Sequence, residues 1–106
     1  MAEVVFTDGN LQEQALDVKD KLIMIDFFAA WCGPCQMMMP HVDELASEIT
    51  DAVIGKCNVD DSPGVAQKFQ VMSIPTVVFL KNGEIVEKLV GYQAKEVLAE
   101  KINELK

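Results

Sequence analysis

Leu22-Ile23-Met24-Ile25-Asp26-Phe27-Phe28-Ala29-Ala30-Trp31-Cys32-Gly33-Pro34-Cys35 is the stretch on which the reading of this chain turns. From Leu22 to Ala29 it is apolar at both parities, the pattern of a central strand covered on both faces. The single break is Asp26. The last five residues put two thiols three positions apart where the strand gives way to a helical pattern, with Pro34 suited to a first helical position. A pair at this spacing is a redox couple or half of a metal site. A structural zinc site asks for four ligands, usually two such pairs or one pair with histidines. Beyond the pair the sequence holds only His41 and one more cysteine, Cys57, on a separate strand. Redox chemistry is the favoured reading, and two ordinary core cysteines are the plain alternative.

Working outward, Val4 to Thr7 reads as a short edge strand. Asp8-Gly9 turns the chain into a helix from Leu11 to about Val18, with Asn10 as its cap and Glu13 as capping-box partner. After the cysteine pair a long helix is expected to about Ile49, its inner stripe formed by Met38, Val42, Leu45, Ala46 and Ile49. Pro40 lies inside it and should kink it. Ala52 to Val59 is a third strand, parallel to the second through a right-handed crossover. Asp60 to Gly64 is a loop, with Ser62 a candidate cap and Pro63 suited to a first helical position; a short helix follows from Val65 to about Phe69, and Thr76 to Leu80 is a fourth strand. Asn82-Gly83 signals a type I′ hairpin into a fifth strand, Glu84 to Val90. Lys95 to Leu105 is an amphipathic helix carrying Val97, Leu98, Ile102 and Leu105. The class is α/β: a five-stranded mixed sheet flanked by four helices, in the order βαβαβαββα.

With 106 residues, half of them hydrophobic, the chain reads as a single domain, 1–106, able to bury its own core. It therefore needs no disulfide staple or metal to fold, which leaves the paired cysteines free for chemistry. The net charge of −8 argues against nucleic acid or an anionic membrane as partner. No signal peptide or membrane span is legible, so a cytoplasmic, reducing setting is expected. A monomer is expected as well.

At a helix N-terminus, free amide protons and the positive end of the dipole favour an anion, and Cys32 falls there. The thiolate is the nucleophile, and an unperturbed thiol is only about 3% ionised at pH 7. Cys35, one turn inside, is then the resolving thiol. Asp26 sits in the most apolar strand, so desolvation should raise its pKa. Cys57 reads as a core residue, and His41 as a solvated helix residue.

Trp31-Cys32-Gly33-Pro34-Cys35 resembles the active-site motif of the thioredoxin family. The resemblance runs through Asp26-Phe27, Pro40, Asn58-Val59-Asp60, Pro63-Gly64, Ser73-Ile74-Pro75-Thr76, Gly83 and Gly91, and so covers essentially the whole chain. It implies the thioredoxin fold and a general protein-disulfide reductase. Its redox group would be the Cys32–Cys35 disulfide itself, with no other cofactor and no metal. Electrons would come from thioredoxin reductase and pass to disulfide-containing client proteins. The resemblance further gives Asp26 the role of proton acceptor for Cys35 and Lys56 that of tuning Asp26. It makes Pro75 a cis-proline facing the cysteines. Trp31, Gly33, Pro34, Ile74, Pro75 and Gly91 would bind substrate, with Val59 and Tyr92 at the rim of an apolar collar.

Two departures stand out. Phe28 occupies a position where many relatives carry a second tryptophan, and Gln36 replaces a common lysine, removing a positive charge near the thiolate. Two rivals remain at this stage: an oxidant or isomerase of the same fold, and a non-catalytic module that uses the collar to hold a protein. The proline between the cysteines and the missing signal sequence weigh against the first.

Overall fold

The apolar run becomes β2 (Leu22–Phe28), the middle of a five-stranded sheet. The computed structural model describes residues 3–106. Before β2 come β1 (Val4–Val5) and a short π-type helix (Gln12–Leu16). After it follow α1 (Gly33–Glu48), β3 (Val53–Asn58), α2 (Pro63–Lys68), β4 (Thr76–Lys81), β5 (Glu84–Val90) and α3 (Lys95–Leu105). The strand order is β1-β3-β2-β4-β5. β3 runs parallel to both β1 and β2, while β4 is antiparallel to β2 and to β5.

Strand alternation sorts the core into two layers. Leu22 and Met24 face α1 and α3, packing with Met38, Val42, Leu45, Leu98 and Ile102. Ile23, Ile25 and Phe27 face the other way, toward Leu11, Ala15, Val65 and Phe69 of the π-type helix and α2. The inner stripe expected for α1 is buried from Met38 to Ala46, with Ile49 packed at its margin. Asn82 (φ 53°) and Gly83 (φ 81°) both adopt the left-handed conformation that a type I′ hairpin requires.

Three local expectations are corrected. Asn10 does not cap the following helix. Its Oδ1 accepts from Thr7 N at 2.8 Å while Thr7 Oγ1 accepts from Asn10 N at 3.2 Å, so the reciprocal pair closes one turn earlier and Glu13 has no part in it. Ser62 occupies the N-cap position of α2 but makes no capping bond. Asp8 Oδ1 does so instead, accepting from Val65 N at 2.9 Å across 57 positions of sequence. Val97 is 44% exposed, because Leu98 and Ile102, four apart, set the inner face of α3.

Candidate active site

Since β3 is parallel to β2, α1 must run back along the sheet, and its first turn lies over the end of β2. Cys35 is one turn before Met38 on the buried stripe of α1. Asp26 is two residues beyond Met24 on the strand face that carries α1. Topology thus places the carboxyl and the thiol pair at the same end of one interface.

Cys32 and Cys35 are joined as a disulfide, with Cα atoms 5.2 Å apart. Cys32 is the N-cap residue of α1 (φ −88°, ψ 110°), and its Sγ accepts from Cys35 N at 3.3 Å. A cysteine sulfur thus holds the place usually taken by a serine or aspartate oxygen at a helix start. When reduced, the same amide and the helix dipole favour its anionic form. Cys32 is 6% exposed and Cys35 is fully buried, so only the first of the two presents a sulfur to the outside. Ala29 packs against both, with Phe28, Val59 and Ile74 around them.

Asp26 is fully buried, and neither carboxyl oxygen has a hydrogen-bond partner among the described residues. Desolvation pushes its pKa up to about 7; Glu3 and Asp43 add to the rise, and Lys56 opposes it. Lys56, beside Asp26 in the β2–β3 register, turns its ammonium to Glu3 Oε1 at 3.1 Å.

Of the residues expected in the collar, Val59 and Ile74 pack against the disulfide. Trp31 is 73% exposed, and its Nε1 donates to Asp60 Oδ2 at 2.9 Å. Asp60 is held in turn by its own amide, which donates to Asn58 Oδ1 at 2.9 Å. A shallow groove of about 360 Å³ runs from Trp31 past Val59 to Ser73 and Ile74, with Met72 exposed along it. The Ile74–Pro75 peptide is cis. Gly91 N donates to Pro75 O at 2.8 Å, which joins the end of β5 to the proline loop. Gly33 and Pro34 are exposed at the start of α1.

Gln36 bends its amide back to Ala30 O at 3.3 Å and weakly to Ala29 O at 3.5 Å, tying down the turn before Trp31. His41 is not simply solvated, since its Nε2 lies 3.0 Å from Tyr92 Oη. Cys57 is buried, and desolvation with Asp8 and Asp61 nearby pushes its thiol up to about 12. Two residues escaped sequence reading. Asp60 could have been flagged from Asn58, whose side chain commonly closes a turn two residues on. Nothing local marks Glu3, which acts by a long-range contact.

The family model for thioredoxin matches residues 3–104. The chain belongs to the thioredoxin family. A thioredoxin of Staphylococcus haemolyticus is 48% identical over 101 residues, covering 94% of each chain. One of Staphylococcus saprophyticus is 47% identical over 103 residues, 96% of each. One of Chlorobaculum thiosulfatiphilum is 42% identical over 99 residues, covering 92% of this chain and 91% of its own. Membership and the disulfide together make this chain a thiol-disulfide oxidoreductase that works by dithiol/disulfide exchange. Its redox group is its own cysteine pair. No helix among the described residues is long and apolar enough to cross a membrane.

Proposed function

We propose that this protein is a general reductase of protein disulfides in the cytoplasm, recharged by thioredoxin reductase. In its reduced form the Cys32 thiolate attacks a client disulfide, forms a mixed disulfide and releases one client thiolate. Cys35 gives its proton to Asp26, attacks Cys32 Sγ and releases the second client thiolate. Two electrons have then passed to the client, and the protein is left with the Cys32–Cys35 disulfide. The observation that carries this reading is a helix-capping Cys32, bonded to a buried Cys35, at the end of the interface that holds an unpartnered Asp26.

A carboxyl with pKa about 7 is about half ionised at neutral pH, so it can accept a proton there and return it readily. An ordinary aspartate would be too weak a base. Lys56 has the role of tuning that carboxyl. Trp31, Gly33, Pro34, Ile74, Pro75 and Gly91 form the docking rim. An extended client segment can lie along the Ile74 backbone as an added strand, with apolar side chains in the groove beside Trp31.

Insulin reduction with NADPH and thioredoxin reductase tests donor and activity together. Cys32→Ser should abolish turnover; retention of the protein's function would favour a binding module instead. Asp26→Asn should slow resolution of the mixed disulfide at least about tenfold near pH 7 while leaving the fold intact. Unchanged resolution would remove Asp26 from the mechanism.

A further inference from the structure

Asp26 and Lys56 are register partners on adjacent parallel strands and lie on the same face of the sheet. Neighbouring strands are about 4.8 Å apart, so a lysine there can reach its neighbour's carboxylate. A fully buried carboxyl beside a cation would ordinarily pair with it. Here the ammonium points elsewhere. Lys56 Nζ lies 3.1 Å from Glu3 Oε1, and both side chains are largely withdrawn from water, 24% and 13% exposed. The Lys56 ammonium also sits 5.9 Å from the centre of the Phe28 ring. Both oxygens of Asp26 remain unpartnered among the described residues.

Glu3 reaches this position because β1, immediately after it, is parallel to β3, with Val5 opposite Lys56. We propose that Glu3 is a positioning residue for the redox site: it holds Lys56 in an ion pair beside Asp26, leaving the carboxyl without a cation and free to take the proton of Cys35. The proposal rests on the assignment of Asp26 as that acceptor.

The charged groups that bear on Asp26 are Glu3 ahead of β1, Lys56 on β3 and Asp43 on α1. β4 offers only the apolar Val77 across from it. Glu3 therefore acts twice in the same direction. Its own charge disfavours a second carboxylate nearby, and it occupies Lys56, whose charge would favour one. The burial of Glu3 and the neighbouring Asp43 carboxyl raise the pKa of Glu3 itself, while Lys56 lowers it. The ion pair thus lies at the β1 edge of the sheet, with Glu3 just ahead of β1 and Lys56 on β3.

The test is a carboxyl-carbon NMR titration of Asp26 in the oxidised protein, with Glu3→Gln, Lys56→Met and the double variant. Glu3→Gln should lower the Asp26 midpoint by at least about half a pH unit. The same change on the Lys56→Met background should lower it by less, because no ammonium is left to be released. A midpoint unmoved by Glu3→Gln would overturn the proposal, as would equal shifts on the two backgrounds. The pH profile for resolving the mixed disulfide separates the two assignments. If the NMR midpoint moves and the kinetic limb does not, Glu3 positions Lys56 but Asp26 is not the acceptor. If both move together to lower pH, both assignments stand.

Discussion

Asp26 shows how one residue couples function to stability. Its folded pKa of about 7 lies above the ordinary 3.8, so the native state retains a proton that the unfolded chain releases. The stabilising effect of that proton is full below pH 3.8 and disappears as pH rises through about 7. The whole effect amounts to roughly 4 kcal/mol, of which roughly 3 kcal/mol falls between pH 5 and pH 8. Urea titrations of the oxidised protein and of Asp26→Ala should therefore diverge by about that amount over this interval, with the variant relatively more stable at pH 8. Parallel pH dependences would mean that Asp26 titrates normally and cannot be the near-neutral base. The carboxyl's burial was legible from the apolar run around it, since a strand covered on both faces leaves Asp26 no route to water. The cation withheld from it was not, because that depends on a glutamate 53 positions from its lysine partner, and pattern reading sees neighbours only.

At the scale of elements, the strands and the longer helices follow from hydrophobic period, and the hairpin follows from Asn82-Gly83. The misses fall at helix starts, where a side chain has several backbone groups in reach. Asn10 had Thr7 as a closer partner than the helix ahead of it, and the cap of α2 came from Asp8, which no local motif could nominate. Val97 shows the same limit, since the helical period leaves the edge of an apolar stripe undefined by a residue. The distant cap has a measurable consequence. Asp8→Ala leaves Val65 N without its acceptor at the start of a six-residue helix and should cost about 1–2 kcal/mol. Hydrogen exchange should quicken in α2 and leave α1 unchanged; a uniform loss of protection would instead show that Asp8 acts on the whole fold. Gly64 belongs to the same contact, because a Cβ there would come within 2.8 Å of Asp8 Oδ1.

For the molecule as a whole, topology rather than proximity in sequence assembles the proposed site. Cys32–Cys35 comes from the start of α1, Asp26 from β2, Ile74–Pro75 from the loop before β4 and Gly91 from the end of β5. The paired thiols and the lone carboxylate in an apolar strand carry their own sequence signal, whereas Ile74, Pro75 and Gly91 take their proposed roles from the family resemblance alone. The whole fold also senses the redox state of the pair. A bridge across three residues of separation closes a very short loop, and its constraint on the unfolded chain is worth about 2 kcal/mol. For a domain of this size that corresponds to about 8 °C in melting temperature. Calorimetry at pH 5.5, where Asp26 holds its proton in the oxidised form, should find that form melting higher than the reduced one by about this much. The protein would then give up part of its own stability each time it accepts electrons from its donor. Equal melting temperatures would mean that the reduced state recovers the difference through contacts of the freed thiols.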